Sequence, residues 1–190
     1  MTIRGGSKAQ KDPARAEARP RAESPCRFPR PPHFHLPMNL EPKRILLAED
    51  HYVSRHLLER NLSNWGFQVQ AVEDGEAAVR ILEGENPPAI VLIDWQMPKM
   101  DGLEVCRRIR ARVDQPFTYV LLLTAKNHKE EIARALEAGV DEYVVKPFDP
   151  DELRARLGVA RRVVALERQL AHCETELRAA REELARVRGK

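Results

Sequence analysis

Cysteine is scarce in this 190-residue chain. Cys26, Cys106 and Cys173 stand far apart and share no C-x-x-C spacing, which excludes a paired redox centre, a zinc site and a disulfide framework. A reducing compartment follows. No apolar run approaches the roughly 18 residues that a membrane span needs, and charges are scattered where a signal peptide would place its apolar stretch. We therefore expect a soluble, cytoplasmic protein with no membrane partner. Positive charge is also missing where a nucleic-acid binder would want it. The net charge is +5 over residues 1–37, −5 over 38–150 and +3 over 151–190. The part that reads as folded is thus acidic, and the expectation from charge is no nucleic-acid partner.

Residues 1–37 hold seven of the 14 prolines among Arg, Ala and Ser. They show neither helical nor strand periodicity, so 1–41 is expected to be a disordered Pro/Arg-rich tail. His33 and His35 flank Phe34 with no further ligand type nearby, and they read as plain tail residues. Met38 leads within a few residues into the first strand, which makes it a candidate true start.

From Arg44 to Phe148, short β-rich runs alternate with segments of helical spacing, the pattern of a parallel sheet wrapped by helices. Strands are expected at 45–48, 67–72, 89–93, 119–123 and 143–145. The first helix should place Val53, Leu57, Leu58, Leu62 and Trp65 near one face, with Gly66 stopping it. Further helices are expected at 76–83, 103–112 and 129–138. The run Ala89-Ile90-Val91-Leu92-Ile93 is apolar throughout and belongs at the sheet centre, covered on both faces.

In an open parallel sheet the functional groups gather beyond the carboxyl ends of the strands. The residues there are Glu49 and Asp50 after the first strand, Asp94 after the third, Thr124 after the fourth, and Lys146-Pro147 after the fifth. Two carboxylates about 4 Å apart repel by roughly 1 kcal/mol in water and about 4 at the effective dielectric of a protein surface. Three together imply a cation, and oxygen ligands with room for water suit Mg²⁺. A carboxylate beside such an ion and an ammonium can attack a phosphoryl group. Asp94, ending the most buried strand, is best placed as that nucleophile, while Glu49 and Asp50 are better placed as metal ligands. Taken singly, Asp50 or Asp149 would most often be a helix cap, Thr124 a satisfied turn hydroxyl and Lys146 a solvated charge. It is the convergence of all of them that argues for a site. Trp95 reads as a rim residue and Cys106 as a small apolar filler.

Glu49-Asp50, Asp94-Trp95-Gln96-Met97-Pro98, Asp101-Gly102, Thr124-Ala125 and Lys146-Pro147-Phe148, in this order and each at a strand end, resemble the receiver domain of two-component response regulators. The resemblance covers residues 44–148. It implies a flavodoxin-like (βα)5 fold, with a five-stranded parallel sheet of order 2-1-3-4-5. It also implies that Asp94 takes a phosphoryl group from a histidine kinase or a phosphotransfer protein. By the same resemblance Asp50, Asp94 and the Gln96 backbone carbonyl bind Mg²⁺ directly, and Glu49 acts mainly through water. Thr124 and Lys146 contact the phosphoryl oxygens, Tyr143 turns inward as Thr124 moves, and the Lys146-Pro147 bond is cis. Gln96 and Lys126 occupy the two positions that vary with the lifetime of the phosphoryl group. The new charge would change the surface of helix four and strand five. The domain is expected to be a phosphoacceptor with at most slow autodephosphorylation, not an enzyme.

Residues 151–188 lack proline and read as an extended C-terminal helix. Val159, Val163, Leu166, Leu170, Cys173, Leu177, Ala180, Leu184 and Val187 keep the alternating spacing of a heptad seam. With Val163 at position a, a parallel dimer pairs Arg162 with Glu167, Glu176 with Arg181 and Glu183 with Arg188. The expected organisation is a receiver at 42–158, a coiled-coil-like extension at 159–190, and a homodimer through that helix. The seam also fits a single amphipathic helix lying on the receiver. Chain length leaves no room for an output domain, so signalling would run through an unknown downstream protein. Two other classes compete with this reading. A haloacid-dehalogenase-type phosphatase would need a second aspartate where Gln96 stands, and a phosphorylation-independent scaffold would have no use for the acidic pocket.

Overall fold

The computed structural model describes residues 44–112, 115–125 and 129–188. The expectations for residues 1–41, Met38 and Lys126 lie outside them. Five strands, β1 (Arg44–Ala48), β2 (Gln68–Val72), β3 (Ile90–Asp94), β4 (Tyr119–Thr124) and β5 (Glu142–Val145), alternate with five helices. The helices are α1 (Tyr52–Asn64), α2 (Gly75–Leu82), α3 (Gly102–Arg110), α4 (Lys129–Glu137) and α5 (Pro150–Arg188). All strand pairs are parallel, and the order is β2-β1-β3-β4-β5. This is the doubly wound architecture that the alternation implies, with crossover helices on both faces.

The period of two along each strand divides the core. Ile45 and Leu47, Ile90 and Leu92, and Leu121 and Leu123 point to one face, where Leu58 and Leu62 of α1 meet Leu153, Leu157, Ala160 and Val164 of α5. Leu46 and Ala48, Val91 and Ile93, and Val120 and Leu122 point to the other, beneath α2, α3 and α4. Every residue of β3 and β4 is buried, and each such aliphatic side chain contributes about 1.5–3 kcal/mol relative to exposure.

Two local expectations are corrected. Val53 and Leu57 are exposed, so the buried face of α1 is narrower than the apolar spacing suggests. Arg55 is half-buried beside them, donating to the backbone carbonyls of Glu49 (2.7 Å) and Asp50 (3.0 Å). Trp95 is buried among the side chains under α2 and α3 rather than standing at the rim. Its backbone N–H continues the sheet by donating to the Leu123 carbonyl, which carries the indole inward.

Candidate functional site

Beyond the carboxyl ends of β1, β3 and β5 the chain runs into helix caps, and these caps decide which carboxylates stay available. His51, not Asp50, caps α1 by accepting the Ser54 N–H. Asp101 caps α3 through the Glu104 N–H at 2.8 Å, and Asp149 takes the Asp151 N–H at 2.7 Å. Glu49, Asp50 and Asp94 are therefore not the acids that cap these helices. Single ligand oxygens from these three lie within 4.8 Å of each other.

Lys146 completes the cluster. Its Nζ donates to Glu49 Oε2 at 2.7 Å and to Asp94 Oδ2 at 2.8 Å. The lysine follows β5 directly, its backbone N–H bonds the Thr124 carbonyl at 2.7 Å, and the Lys146-Pro147 peptide is cis. Burial pushes the Glu49 carboxyl up from its ordinary range, against the opposing pull of the Lys146 ammonium. Burial also works against the charge on Lys146, but the hydrogen bonds it donates to Asp94 and Glu49 prevail and hold its ammonium above the usual lysine range. Among the described residues one ammonium thus faces three acids, a deficit of positive charge that a hard cation with oxygen ligands would remove.

Asp50 opens onto a cleft of about 490 Å³ that it shares with Trp95, Gln96, Met97, Pro98 and Asp101. Thr124 is buried at the end of β4, and Tyr143 is half-buried on β5 among the side chains facing α4. The structure thus brings the carboxylates, Lys146 and the Gln96 segment to one end of the sheet, with Thr124 on the strand between β3 and β5.

Reasoning from strand ends passed over the residues that hold the loops. Glycine fits at position 102 without displacing the loop, whereas a Cβ there would lie 2.4 Å from the Asp94 carbonyl oxygen. That backbone is held in place by the Gly102 N–H, which donates to the Trp95 carbonyl. Lys99, at φ +66°, reaches the buried Asp74 at 2.6 Å and so joins the β3–α3 loop to the cap of α2. The Asp101-Gly102 pair carried a local turn signal for this close approach. Arg55 and Lys99 carried none, because their partners are met only in the folded chain.

Sheet order, strand-end carboxylates and the bridging lysine together define a receiver domain of the two-component response regulators, and the chain belongs to that family. The family profile "Response regulator receiver domain" matches residues 45–158. Among relatives, a "Probable transcriptional regulator ycf27" of Cyanophora paradoxa is 42% identical over 63% of this chain and 48% of its own length. A "Response regulator MprA" of Mycolicibacterium vanbaalenii is 41% identical over 61% of this chain and 49% of its own. The chain thus spans about half the length of these relatives. Among solved structures, the signal receiver domain of a histidine kinase from Syntrophus aciditrophicus superposes with a TM-score of 0.59 at 30% identity, covering 64% of this chain and 91% of that one. A sensor histidine kinase receiver from Pseudomonas aeruginosa, solved with a magnesium ion coordinated in its active-site cleft, gives 0.56 at 32% identity, covering 64% and 96%.

One expectation falls here. Relatives named as probable transcriptional regulators overturn the exclusion of a nucleic-acid partner. The charge argument fails because it weighed only the surface of one acidic domain, whereas control of transcription is a property of the whole relative, of which this chain matches about half. No helix among the described residues is long and apolar enough to cross a membrane.

Proposed function

We propose that this receiver works as a phosphoacceptor switch in a phosphorelay, with Asp94 taking the phosphoryl group from a histidine kinase or a phosphotransfer protein. The observation that carries this reading is the Lys146 ammonium held between Glu49 and Asp94 with a third carboxylate, Asp50, beside them. An Asp94 oxygen attacks phosphorus, the P–N bond of the donor phosphohistidine breaks, and the imidazole keeps the released electron pair. The product is an acyl phosphate whose oxygens Lys146 and Thr124 would receive. Asp50, Asp94 and the Gln96 carbonyl would hold Mg²⁺, with Glu49 acting through water, and the ion would supply charge neutralisation for the transferring oxygens.

The donor's approach is supported by the exposed apolar residues Val53 and Leu57 of α1, close to where Lys146, Pro147 and Phe148 line a shallow cavity with Leu57. On this reading residues 42–158 form the receiver and 159–190 its helical extension. Phosphorylation would shift Thr124 and Tyr143, and with them the α4/β5 surface and the root of α5. Regulation of transcription, after the names of the relatives, is an output that this reading accommodates.

The test is incubation with Mg²⁺ and acetyl phosphate followed by intact-mass measurement. One added phosphoryl group is expected in the native chain and none in Asp94→Asn. Unmodified native protein, or equal modification of the variant, would remove Asp94 from this role.

A further inference from the structure

Beyond the receiver's last contacts, α5 runs on with every residue from Leu166 to Arg188 exposed. Its apolar residues are not scattered. Leu166, Leu170, Leu177, Leu184 and Val187 are each more than half exposed and, with Cys173 and Ala180, fill consecutive a and d positions. The stripe that holds α5 to its own domain is a different one. Leu153, Leu157, Ala160 and Val164 are fully or almost fully buried and occupy the b and e positions of the same heptad. At 100° per residue the two stripes lie about 100° apart around the helix. A partner helix can therefore lie along the seam without displacing the receiver.

We infer that this seam is covered by a second copy of the chain, in a parallel, in-register two-stranded coiled coil from Leu166 to Val187. The flanking charges are self-complementary. In the parallel arrangement Glu176 faces Arg181 of the second copy and Glu183 faces Arg188, each pair occurring twice by symmetry. An antiparallel pairing through the same layers would also bring opposite charges together, but it would set Val187 against Val163 of the other copy. Val163 is already half-buried against its own receiver core. That end would be blocked, and the charge pairs next to it lost. In the parallel arrangement the two-fold axis carries the receivers to opposite sides of the seam, so both remain clear of it.

The seam departs from an ideal zipper at Cys173 and Ala180. These d-position residues are smaller than leucine and pack less apolar volume, which weakens the dimer and makes it dependent on concentration. The Leu170, Leu177 and Leu184 layers carry the association.

Sedimentation equilibrium of the full chain across a concentration series tests this independently of phosphorylation. The expected limit at high concentration is twice the 21.7 kDa chain mass, and Leu170→Glu combined with Leu177→Glu should give the monomer mass with unchanged Mg²⁺ binding. Orientation is read from a chain carrying Cys26→Ser, Cys173→Ser and Val187→Cys, which should form an intermolecular disulfide on mild oxidation. A native chain that stays monomeric overturns the proposal, as does a dimer that survives both glutamates. A dimer whose Val187→Cys form does not cross-link overturns the parallel arrangement.

Discussion

At the scale of single residues, the site is organised by side chains that never reach the cleft. Lys99 and Asp74 are one case. The lysine's hydrogen bond, with that of the Ala77 N–H, holds the Asp74 carboxyl below its ordinary value of 3.8. A depressed acid stabilises the fold above its unfolded pKa and loses that contribution as pH falls through the folded value. Lys99→Met should therefore lower stability at neutral pH and flatten the loss below pH 3.8, as urea unfolding at a series of pH values would show. Gly102 is the second case. In Gly102→Ala the new methyl meets the Asp94 carbonyl and Leu122, so the β3–α3 loop must move. Overpacking of this kind costs about 1–3 kcal/mol. Because the loop carries Gln96, Mg²⁺ affinity should fall as well, measurable through Trp95 emission in a Trp65→Phe background.

At the scale of elements, α5 does two jobs with two stripes. Over its first four turns it closes one face of the sheet, where Leu157 is fully buried among α1 and strand residues. Leu157→Ala should cost about 2–5 kcal/mol of unfolding free energy by loss of transfer energy and cavity formation. Leu184→Ala, measured on dilute protein, should change it by no more than about 0.5 kcal/mol, since Leu184 is more than half exposed and lies far outside the buried stripe. Equal losses at the two positions would mean that the distal helix folds back on the receiver. The helix runs without a break through the 158/159 position at which sequence reasoning parted receiver from extension.

At the scale of the whole molecule, the excess of negative charge at one end of the sheet couples ion binding to stability. A ligand that binds only the folded state at 100 times its dissociation constant adds about 2.7 kcal/mol. Mg²⁺ at that excess should raise the urea midpoint of the native chain, chelation should reverse the gain, and Asp50→Asn should abolish most of it. An unchanged midpoint on adding Mg²⁺ would show that Lys146 alone balances the cluster.

The sequence by itself determined the fold class and which polar residues stand at the ends of the strands. Alternating periods of two and 3.6 imply strands and helices, the uninterrupted aliphatic runs of β3 and β4 imply a sheet covered on both faces, and strand ends are where such a sheet exposes polar groups. Glu49, Asp50, Asp94, Thr124 and Lys146 were legible because each sits directly after one of those runs. Only the tertiary structure decided what those residues share. That one ammonium bridges Glu49 and Asp94, that Trp95 turns inward, that Leu57 is exposed while Arg55 is half-buried on α1, and that the two stripes of α5 diverge by a quarter turn all depend on contacts between residues distant in the chain or on how a helix is rotated against the sheet. Hydrophobic periodicity reports that a face is apolar; packing alone decides which apolar face is used.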